Sequence, residues 1–426
     1  MNIKVKGGQI LSGEIIPSGS KNSSVCLIPA TILFNKPVTL QNIPDISDVD
    51  RLVKIMTKLG SKINWNKDTN IMVLDNSKLR FENLDREDLG NMKGTSLLWG
   101  PMLARFKKVS FTELPGGCTL GVRPLDAHYE SFRKLNVEVQ DDPKSAYMDA
   151  TEAKANQVWL TEMSPTATEN VIMLATSLSG TTKIIGAASE PQVQDLCNFL
   201  SNCGVKISGI GSSVVEITGK KHLKPVTHKL LSDHYEIATF MALAAATGGE
   251  IKIKNAIPEH FTYINFIFKK FGVNIRYVGN TAIIDRGQKI EISSDVLTIK
   301  AQPWPGLPVD LLPIFIPLAL ANGEHQVLFH NWMYESGLFW TSELTKLGAN
   351  VLMADPHRVI VTGGKKLKGA KLEAPYIIRA VVAMVMAAMI ANGESEILNA
   401  DALYRGHPYF AENLKKLGAQ IEMFDS

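Results

Sequence analysis

One glycine-rich loop holds the residues with the most evident chemistry. Leu114-Pro115-Gly116-Gly117-Cys118 leads through Gly121 to Arg123-Pro124-Leu125-Asp126. A thiol five residues from a guanidinium is expected to have a lowered pKa, because the positive charge favours the thiolate, and it can then act as acid or nucleophile. The structural alternative is a small, half-buried thiol in a turn. The loop makes Cys118 the first candidate for catalysis.

Basic residues stand at the predicted starts of three apolar helices. These residues are Lys21 in Ser18-Gly19-Ser20-Lys21-Asn22, Lys93, and Arg379. The free N–H groups and the dipole of a helix N-terminus favour an anion, and a cation beside them adds a second attraction. Arg405, before Gly406, can add a fourth positive charge. A single cation at a helix start is usually solvated, but three at equivalent positions predict an anion site.

Two carboxylates precede two further apolar helices at the same repeat position. They are Asp233 in Ser232-Asp233-His234 and Asp310 in Pro308-Val309-Asp310. A carboxylate there either caps the helix or removes a proton from a hydroxyl beside an anionic group. The pattern leaves both roles open for each residue.

Signals for metals and nucleotide cofactors are missing from the sequence. The nine histidines show no metal-binding spacing, and neither a P-loop nor a dinucleotide fingerprint occurs. We therefore predict no metal, and an ATPase or a dehydrogenase is disfavoured.

The elements that position these residues recur six times. Each repeat closes on a similar phrase, from Leu59-Gly60-Ser61-Lys62-Ile63 to Leu417-Gly418-Ala419-Gln420-Ile421, and the second residues of the phrases lie 76, 68, 68, 76 and 70 residues apart. Such even spacing is typical of a repeat architecture. Each repeat contains an apolar central helix, a short strand and an amphipathic outer helix, the first of which Ser47 or Asp48 is expected to cap.

Three repeats can bury three central helices together, which predicts an α/β protein with two lobes and a cleft between them. We expect the chain to cross between lobes near Ser20 to Asn22, because the opening strand would pair with the last repeat, and again near Leu230 to His234. One lobe then comprises residues 22–231, and the other residues 1–21 plus 232–426. The predicted central helices are Ser24 to Phe34, Thr95 to Phe106, Asn170 to Leu178, Ile237 to Ala246, Leu311 to Ala321 and Ala380 to Ile390.

The composition of the 426 residues limits the class of protein and the kinds of partner that we expect. The chain is 45% hydrophobic and 20% charged, which is typical of a globular protein with a sizeable core. Its net charge of +3 and the lack of a basic stripe predict no nucleic-acid partner. The longest apolar stretch is shorter than the roughly 18 residues of a membrane span, and the four cysteines show no paired spacing. We expect a cytoplasmic protein without a membrane partner, and the sequence leaves its oligomeric state open.

The motifs around Lys21, Cys118, Asp310 and Arg405 resemble those of the UDP-N-acetylglucosamine 1-carboxyvinyltransferases, a family of enolpyruvyltransferases. The likeness covers essentially the whole chain, and the cysteine loop is its most specific part, because the sister family of 5-enolpyruvylshikimate-3-phosphate synthases lacks it. The resemblance implies an inside-out α/β barrel of two lobes, with six βαβαββ repeats, three per lobe. It also implies transfer of the enolpyruvyl group of phosphoenolpyruvate to the 3-hydroxyl of UDP-N-acetylglucosamine, with loss of phosphate, in peptidoglycan synthesis. Because phosphoenolpyruvate brings its own activated group, the resemblance implies neither a metal nor an organic cofactor.

The resemblance further implies roles for single residues. Cys118 would add to phosphoenolpyruvate and assist proton transfer, Asp310 would deprotonate the sugar hydroxyl, and Lys21 would join them in catalysis. The residues implied to bind phosphoenolpyruvate are Lys21, Lys93, Arg123, Arg379 and Arg405. Those implied to bind the nucleotide sugar are Asn22, Arg123, Pro124, Leu125, Asp126, Ser164, Asp233 and Asp310.

Three departures from the family pattern fall on residues expected to line the substrate sites. Lys93 replaces an arginine, Ser164-Pro165-Thr166 replaces Ser-Val-Gly, and the fifth repeat is longer around Trp332. The donor chemistry is therefore better supported than the acceptor. Two alternatives stay open: an enolpyruvyltransferase acting on another nucleotide or nucleoside hydroxyl, and a non-catalytic paralogue that closes over an anionic ligand.

Overall fold

The protein has a mixed α/β fold, and its contacts divide the chain into two compact units. The computed structural model describes residues 1–80, 92–111, 125–142, 145–292, 296–321, 323 and 325–425. One unit contains the described residues between Gly19 and Leu231, and we call it the 19–231 unit. The other contains Met1–Ser18 and the described chain from Ser232 onward, and we call it the 232–425 unit.

The described residues of the 19–231 unit form six α-helices and two 3-10 segments. The α-helices are α1 (Lys21–Ala30), α2 (Ser47–Lys58), α3 (Trp99–Phe106), α4 (Asp126–Lys134), α5 (Pro165–Ala175) and α6 (Pro191–Asn202). The 3-10 segments are Thr31–Leu33 and Lys93–Leu98. Helices α1, α3 and α5 correspond to the predicted central helices, and they are buried on nearly every side. Helix α3 packs on α5, and α1 contacts both α5 and Lys93–Leu98.

Three sheets are described in the 19–231 unit. Their strands, in order across each sheet, are Thr227–Lys229, Val38–Gln41, Ile71–Asp75 and Lys62–Asn66; then Lys108–Phe111, Ala146–Asp149 and Glu138–Asp141; and then Lys206–Ser208, Val214–Thr218, Thr181–Ile185 and Gln157–Trp159. Both four-stranded sheets combine one parallel pair with antiparallel pairs. Alternating buried and exposed residues along strands such as Thr181–Ile185 turn one face of the sheet to the core.

In the 232–425 unit the described α-helices are α7 (His234–Thr247), α8 (Thr262–Lys270), α9 (Leu312–Leu320), α10 (Ile378–Ile390) and α11 (Phe410–Lys416). The 3-10 segments are Pro258–Phe261, Val309–Leu311, Phe339–Leu347 and Ala400–Arg405. Helices α7, α9 and α10 are the buried central ones and pack against one another. The described helices include no candidate membrane span when length and hydropathy are taken together.

Three sheets are described in this unit as well. Their strands, in order, are Ile275–Val278, Thr281–Ile284, Glu250–Ile253 and Ser12–Ile15; then Val296–Lys300, Gln326–His330, Arg358–Thr362 and Asn350–Asp355; and then Lys371–Glu373, Glu394–Leu398, Asn2–Lys6 and Ile421–Phe424. The prediction that the opening strand pairs with the last repeat is confirmed. Asn2–Lys6 lies antiparallel to Glu394–Leu398 on one side and to Ile421–Phe424 on the other.

Backbone geometry explains why six closing phrases look alike. The second residue of each phrase has a positive φ, the left-handed conformation with which many helices end. These residues are Gly60 (φ 96°), Asn136 (62°), Gly204 (94°), Gly272 (77°), Gly348 (86°) and Gly418 (95°). Glycine adopts this conformation without steric cost, and asparagine tolerates it better than most residues. The recurrence in sequence is therefore a recurrence of helix ends.

Several predicted helix limits are wrong by a few residues. Helix α5 begins at Pro165 and not at Asn170, because the Ser164 hydroxyl caps it and proline fits its first turn. Helix α10 begins at Ile378, so Arg379 lies within its first turn and not ahead of it. The outer segment of the fifth repeat, Phe339–Leu347, is a 3-10 helix.

Two buried carboxyls of the 19–231 unit should make its stability depend on pH. Burial raises the pKa of Glu190 to about 7, and burial together with the charge of Glu190 raises that of Glu169 well above its usual range. Folding therefore favours the protonated acids. The stabilising contribution of Glu190 is complete below the unfolded pKa near 4.5 and is lost as the pH rises through about 7, and that of Glu169 is likewise lost as the pH rises through its own raised pKa.

Replacing Glu190 by glutamine should remove its part of this dependence, because the amide cannot ionise. We expect the melting temperature of Glu190→Gln to exceed that of the wild type by about 4 °C at pH 8 and to match it within about 1 °C at pH 5. Calorimetry at both pH values measures this, with the exposed Glu152→Gln as the matched control. Parallel pH profiles for wild type and Glu190→Gln would contradict the assignment.

Candidate functional site

The described structure contains some of the predicted site residues and not others. Cys118, Arg123 and Pro124 lie outside the described residues, as does the side chain of Lys93. The predictions for these four residues stay predictions. The remaining candidates belong to the two units, and we describe each unit by itself.

Lys21 is the first residue of α1, as its position after Ser18-Gly19-Ser20 indicated. The Ser20 hydroxyl caps the helix by accepting a hydrogen bond from the Ser23 N–H, at 3.2 Å. The chain approaches Asn42 so closely here that a Cβ on Gly19 would lie 1.7 Å from the Asn42 carbonyl oxygen. Only glycine fits at this position without a shift of the backbone. The approach fixes the direction in which α1 begins, and with it the position of Lys21.

The Lys21 ammonium is paired with a carboxylate that the sequence assigned to another role. Lys21 Nζ lies 3.1 Å from Asp48 Oδ2, and the two side chains are 17% and 7% exposed. The prediction that Ser47 or Asp48 caps α2 is wrong, because Ile46 holds the cap position and no side chain caps that end. Asp48 instead lies in the first turn of α2, where its charge also suits the helix dipole. Asn22, the other candidate in this segment, is partly exposed in the first turn of α1.

Two of the predicted nucleotide-sugar segments lie on neighbouring helices of the same unit. Leu125 precedes α4 and exposed Asp126 is its first residue, while Ser164 caps α5 by accepting from the Ala167 N–H at 3.3 Å. The helices are joined by His128, which is buried and whose Nε2 lies 3.1 Å from Thr166 Oγ1. The Asn170 amide contacts the other ring nitrogen at 3.1 Å. An amide N–H can only donate, so Nδ1 accepts and Nε2 carries the proton that Thr166 receives.

In the 232–425 unit Asp233 is the N-cap of α7. One carboxylate oxygen accepts hydrogen bonds from the N–H groups of Tyr235 and Glu236, at 2.9 and 3.0 Å. Burial favours the neutral acid, but the Arg379 charge opposes it strongly, and the pKa of Asp233 is lowered overall. Of the two roles that the sequence left open, the structure confirms capping for this residue. Its contact with a nucleotide sugar stays a prediction.

Asp310 differs from Asp233 although their repeat positions match. It lies in the 3-10 segment Val309–Leu311, and no side chain caps that segment. Its Oδ2 is 3.9 Å from Arg379 Nε, and the two side chains are 38% and 8% exposed respectively. A partly exposed carboxylate beside a buried guanidinium can accept a proton near a bound anion. The N-cap interpretation is wrong for Asp310, because Pro308 holds the cap position of the 3-10 segment and Leu311 that of α9.

Arg379 and Arg405 are both buried, and both stack on aromatic rings. The Arg379 guanidinium carbon lies 4.7 Å from the centre of the Tyr235 ring, and that of Arg405 lies 5.4 Å from the centre of the Tyr376 ring. Such stacking attracts a cation while leaving its N–H groups at the edges of the plane. The two arginines can therefore donate to a phosphate or a carboxylate.

Sequence reasoning gave no role at the site to three residues next to these candidates: Asp48, which it named only as a helix cap, Glu236 and His407. His407 Nε2 lies 2.6 Å from Arg379 Nη1, and the residue is 3% exposed. Burial, with the charge of Asp233, raises the pKa of Glu236 to about 8, so this carboxyl is largely protonated at neutral pH. His407 lies two residues after Arg405 in the sequence. Its place next to a predicted anion-binding arginine was the signal that could have identified it. Among the described residues, no three His, Cys, Asp or Glu side chains are grouped to hold a metal ion.

The matching family model and the known proteins with similar sequences are all named as 1-carboxyvinyltransferases. The family model for EPSP synthase (3-phosphoshikimate 1-carboxyvinyltransferase) matches residues 5–414. UDP-N-acetylglucosamine 1-carboxyvinyltransferase from Borrelia garinii is 37% identical, covering 99% of each chain. The protein of that name from Bradyrhizobium diazoefficiens is 38% identical, covering 98% of this chain and 97% of its own.

Similar solved structures support the fold. The enolpyruvyl transferase NikO from Streptomyces tendae matches with a TM-score of 0.86 at 20% identity, covering 100% of this chain and 99% of that chain. EPSP synthase from Acinetobacter baumannii matches with a TM-score of 0.74 at 17% identity, covering 100% of both. The fold is thus that of enolpyruvyl transferases. By the family model and by relatives of nearly equal length, the chain belongs to the carboxyvinyltransferase family that includes EPSP synthase and UDP-N-acetylglucosamine 1-carboxyvinyltransferase.

Proposed function

We propose that this protein transfers the enolpyruvyl group of phosphoenolpyruvate to the 3-hydroxyl of UDP-N-acetylglucosamine and releases phosphate, the first committed step of peptidoglycan synthesis. One observation carries the proposal: full-length relatives at 35–38% identity are named for this carboxyvinyl transfer. The charged residues of both units supply the groups that such a transfer requires.

The donor carries a phosphate and a carboxylate, and the proposal assigns cations to both. In the 232–425 unit, Arg379 and Arg405 present buried guanidinium groups whose planar N–H donors match both anions. In the 19–231 unit, Lys21 lies at the N-terminus of α1, where the helix dipole also favours an anion. Lys93 and Arg123 complete the proposed donor set.

The acceptor hydroxyl must lose a proton as its oxygen bonds to the donor. We assign this proton to Asp310, because its carboxylate is accessible and lies beside Arg379. The proposed ligands of the nucleotide sugar are Asn22, Arg123, Pro124, Leu125, Asp126, Ser164, Asp233 and Asp310.

The reaction then needs an acid on the other face of the donor. Cys118 is the proposed group, giving a proton to the methylene carbon as positive charge develops on the neighbouring carbon. The oxygen of the sugar adds there to form a tetrahedral adduct, which loses phosphate and returns the proton. Fixed cations stabilise the departing phosphate and need no reorganisation at that moment. All of these groups belong to the protein or its substrates, so the proposed step includes neither a metal nor an organic cofactor.

The proposed architecture is the inside-out α/β barrel of two lobes with six βαβαββ repeats. Its support is the set of three buried central helices and three sheets described in each unit. We assign residues 22–231 to one lobe and residues 1–21 plus 232–426 to the other, and we place the enzyme in the cytoplasm.

Phosphate release from phosphoenolpyruvate tests the proposed function. We expect release that depends on UDP-N-acetylglucosamine, together with a product whose mass has gained one enolpyruvyl group. The same assay with other uridine nucleotides and with uridine measures acceptor choice. Release only with another acceptor would replace the assigned substrate. Absence of release with every acceptor, in protein that still binds phosphoenolpyruvate, would indicate a binding role.

A further inference from the structure

Arg379 is held by three neighbours that act on different parts of its guanidinium. Nη1 contacts His407 Nε2 at 2.6 Å, the plane lies against Tyr235 at 4.7 Å, and Nε faces Asp310 Oδ2 at 3.9 Å. A guanidinium only donates hydrogen bonds, so His407 Nε2 must be the acceptor. The imidazole is then neutral, with its proton on Nδ1.

A neutral acceptor has an electrostatic effect that a carboxylate lacks. It fixes the direction of one N–H group and does not itself neutralise the positive charge of the arginine. The Asp310 contact at 3.9 Å is longer than a hydrogen bond, and Asp233 uses one carboxylate oxygen to cap α7. The nearby Glu236 carboxyl is largely neutral at pH 7 because of burial. Arg379 shares its charge with the buried carboxylate of Asp233, whose pKa it lowers, and His407 adds no further counter-charge that would compete with an external anion.

The position of His407 is itself determined by packing. It follows the 3-10 segment Ala400–Arg405, its backbone N–H donates to the Leu403 carbonyl at 2.8 Å, and its ring lies 5.6 Å from that of Phe410 in α11. The His407 side chain is therefore a hydrogen-bond acceptor in a fixed position. Because it holds Arg379, most of the entropic cost of ordering that side chain arises on folding and not on binding an anion.

We propose that His407 is a positioning residue for the donor site: as a neutral acceptor it orients Arg379 toward phosphoenolpyruvate and sets the affinity for that substrate, not the rate of the chemical step. The inference rests on the proposed function, in which Arg379 binds the donor. His407 touches neither substrate in this role.

Two substitutions separate the hydrogen bond from the packing. His407→Phe keeps a ring against Phe410 but removes the acceptor, whereas His407→Gln keeps an acceptor oxygen. We expect His407→Phe to raise KM for phosphoenolpyruvate about tenfold, because a hydrogen bond to a charged group is lost. The kcat and the KM for UDP-N-acetylglucosamine should stay within about twofold. His407→Gln should return KM for phosphoenolpyruvate to within about threefold of the wild type.

Steady-state kinetics on the full chain decides between outcomes. An unchanged donor KM in His407→Phe would overturn the proposal, as would equal impairment in both variants, since a shared loss of packing would then explain it. Equal rises in the two substrate KM values would also overturn it.

A second readout keeps the inference separate from the proposed reaction. The melting temperature is measured with and without phosphoenolpyruvate, since a ligand of the folded state raises it. If the wild type turns over no acceptor, the proposed function fails. The inference still holds if phosphoenolpyruvate stabilises the wild type and His407→Gln but not His407→Phe. It is overturned if phosphoenolpyruvate does not stabilise the wild type, or stabilises all three equally.

Discussion

Asp310→Asn is expected to lower the rate of phosphate release by about 100-fold or more while the affinity for phosphoenolpyruvate changes by less than about threefold. Asparagine has nearly the same shape but cannot take a proton from the sugar hydroxyl, and general bases contribute typically 10²- to 10⁴-fold. The donor cation Arg379 is also held by His407 and Tyr235, so it should keep its place. Single-turnover phosphate release and titration with phosphoenolpyruvate measure the two quantities.

A matched control uses the same exchange beside another arginine of the same unit. Asp285 lies 3.0 Å from Arg276, and both are exposed: Arg276 lies in the edge strand Ile275–Val278, and Asp285 directly follows the neighbouring strand Thr281–Ile284. Asp285→Asn should leave rate and affinity within about twofold of the wild type. If Asp310→Asn instead abolishes donor binding and spares the rate with saturating donor, Asp310 mainly holds Arg379 and another group is the base.

Fosfomycin, an epoxide that resembles phosphoenolpyruvate, should alkylate one cysteine of the four and abolish activity completely. The three described cysteines are poor nucleophiles. Burial raises the pKa of Cys197 and of Cys203 to about 12, and that of Cys26 well above its usual range. Thiolate is the reactive form, so the adduct is expected on Cys118.

Intact mass and peptide mapping measure this result. Cys118→Ser is the control, and it should take up no fosfomycin under conditions that label the wild type fully. An adduct on Cys26, Cys197 or Cys203 would contradict the buried state of that residue. No adduct on the wild type would remove the main support for a reactive thiol in the loop.

The fold could be predicted from sequence where a pattern repeats. The closing phrases led to the six repeats because glycine or asparagine recurs where each helix ends in a left-handed residue. The central helices were found because they are apolar on every side, as in Ile378–Ile390. Their first residues do not follow from that pattern, because caps such as Ser164 and the first-turn proline Pro165 interrupt the apolar run without ending the helix.

The candidate site could be predicted only as a set of residue types. Asp233 and Asp310 have matching positions, yet one caps a helix and the other faces Arg379 with its side chain partly exposed. Asp233 is the N-cap of α7, whereas Asp310 lies inside the 3-10 segment before α9, in which Pro308 holds the cap position. The partners Asp48 and His407 lie 27 and 28 residues from Lys21 and Arg379, and such pairs depend on packing that no local pattern records.

The position of the strand Asn2–Lys6 between Glu394–Leu398 and Ile421–Phe424 has a consequence for synthesis on the ribosome. The strands of the 19–231 unit are all present once Lys229 has emerged, so that unit can fold early. Ile3 pairs with Ile397 and Met423, and it must wait for about 400 residues to be translated. At roughly 5–20 residues per second, the delay after Lys229 alone is on the order of 10–40 s. During that interval the first strand has no partner in its final sheet, and its unpaired backbone groups stay open to pairing with other chains.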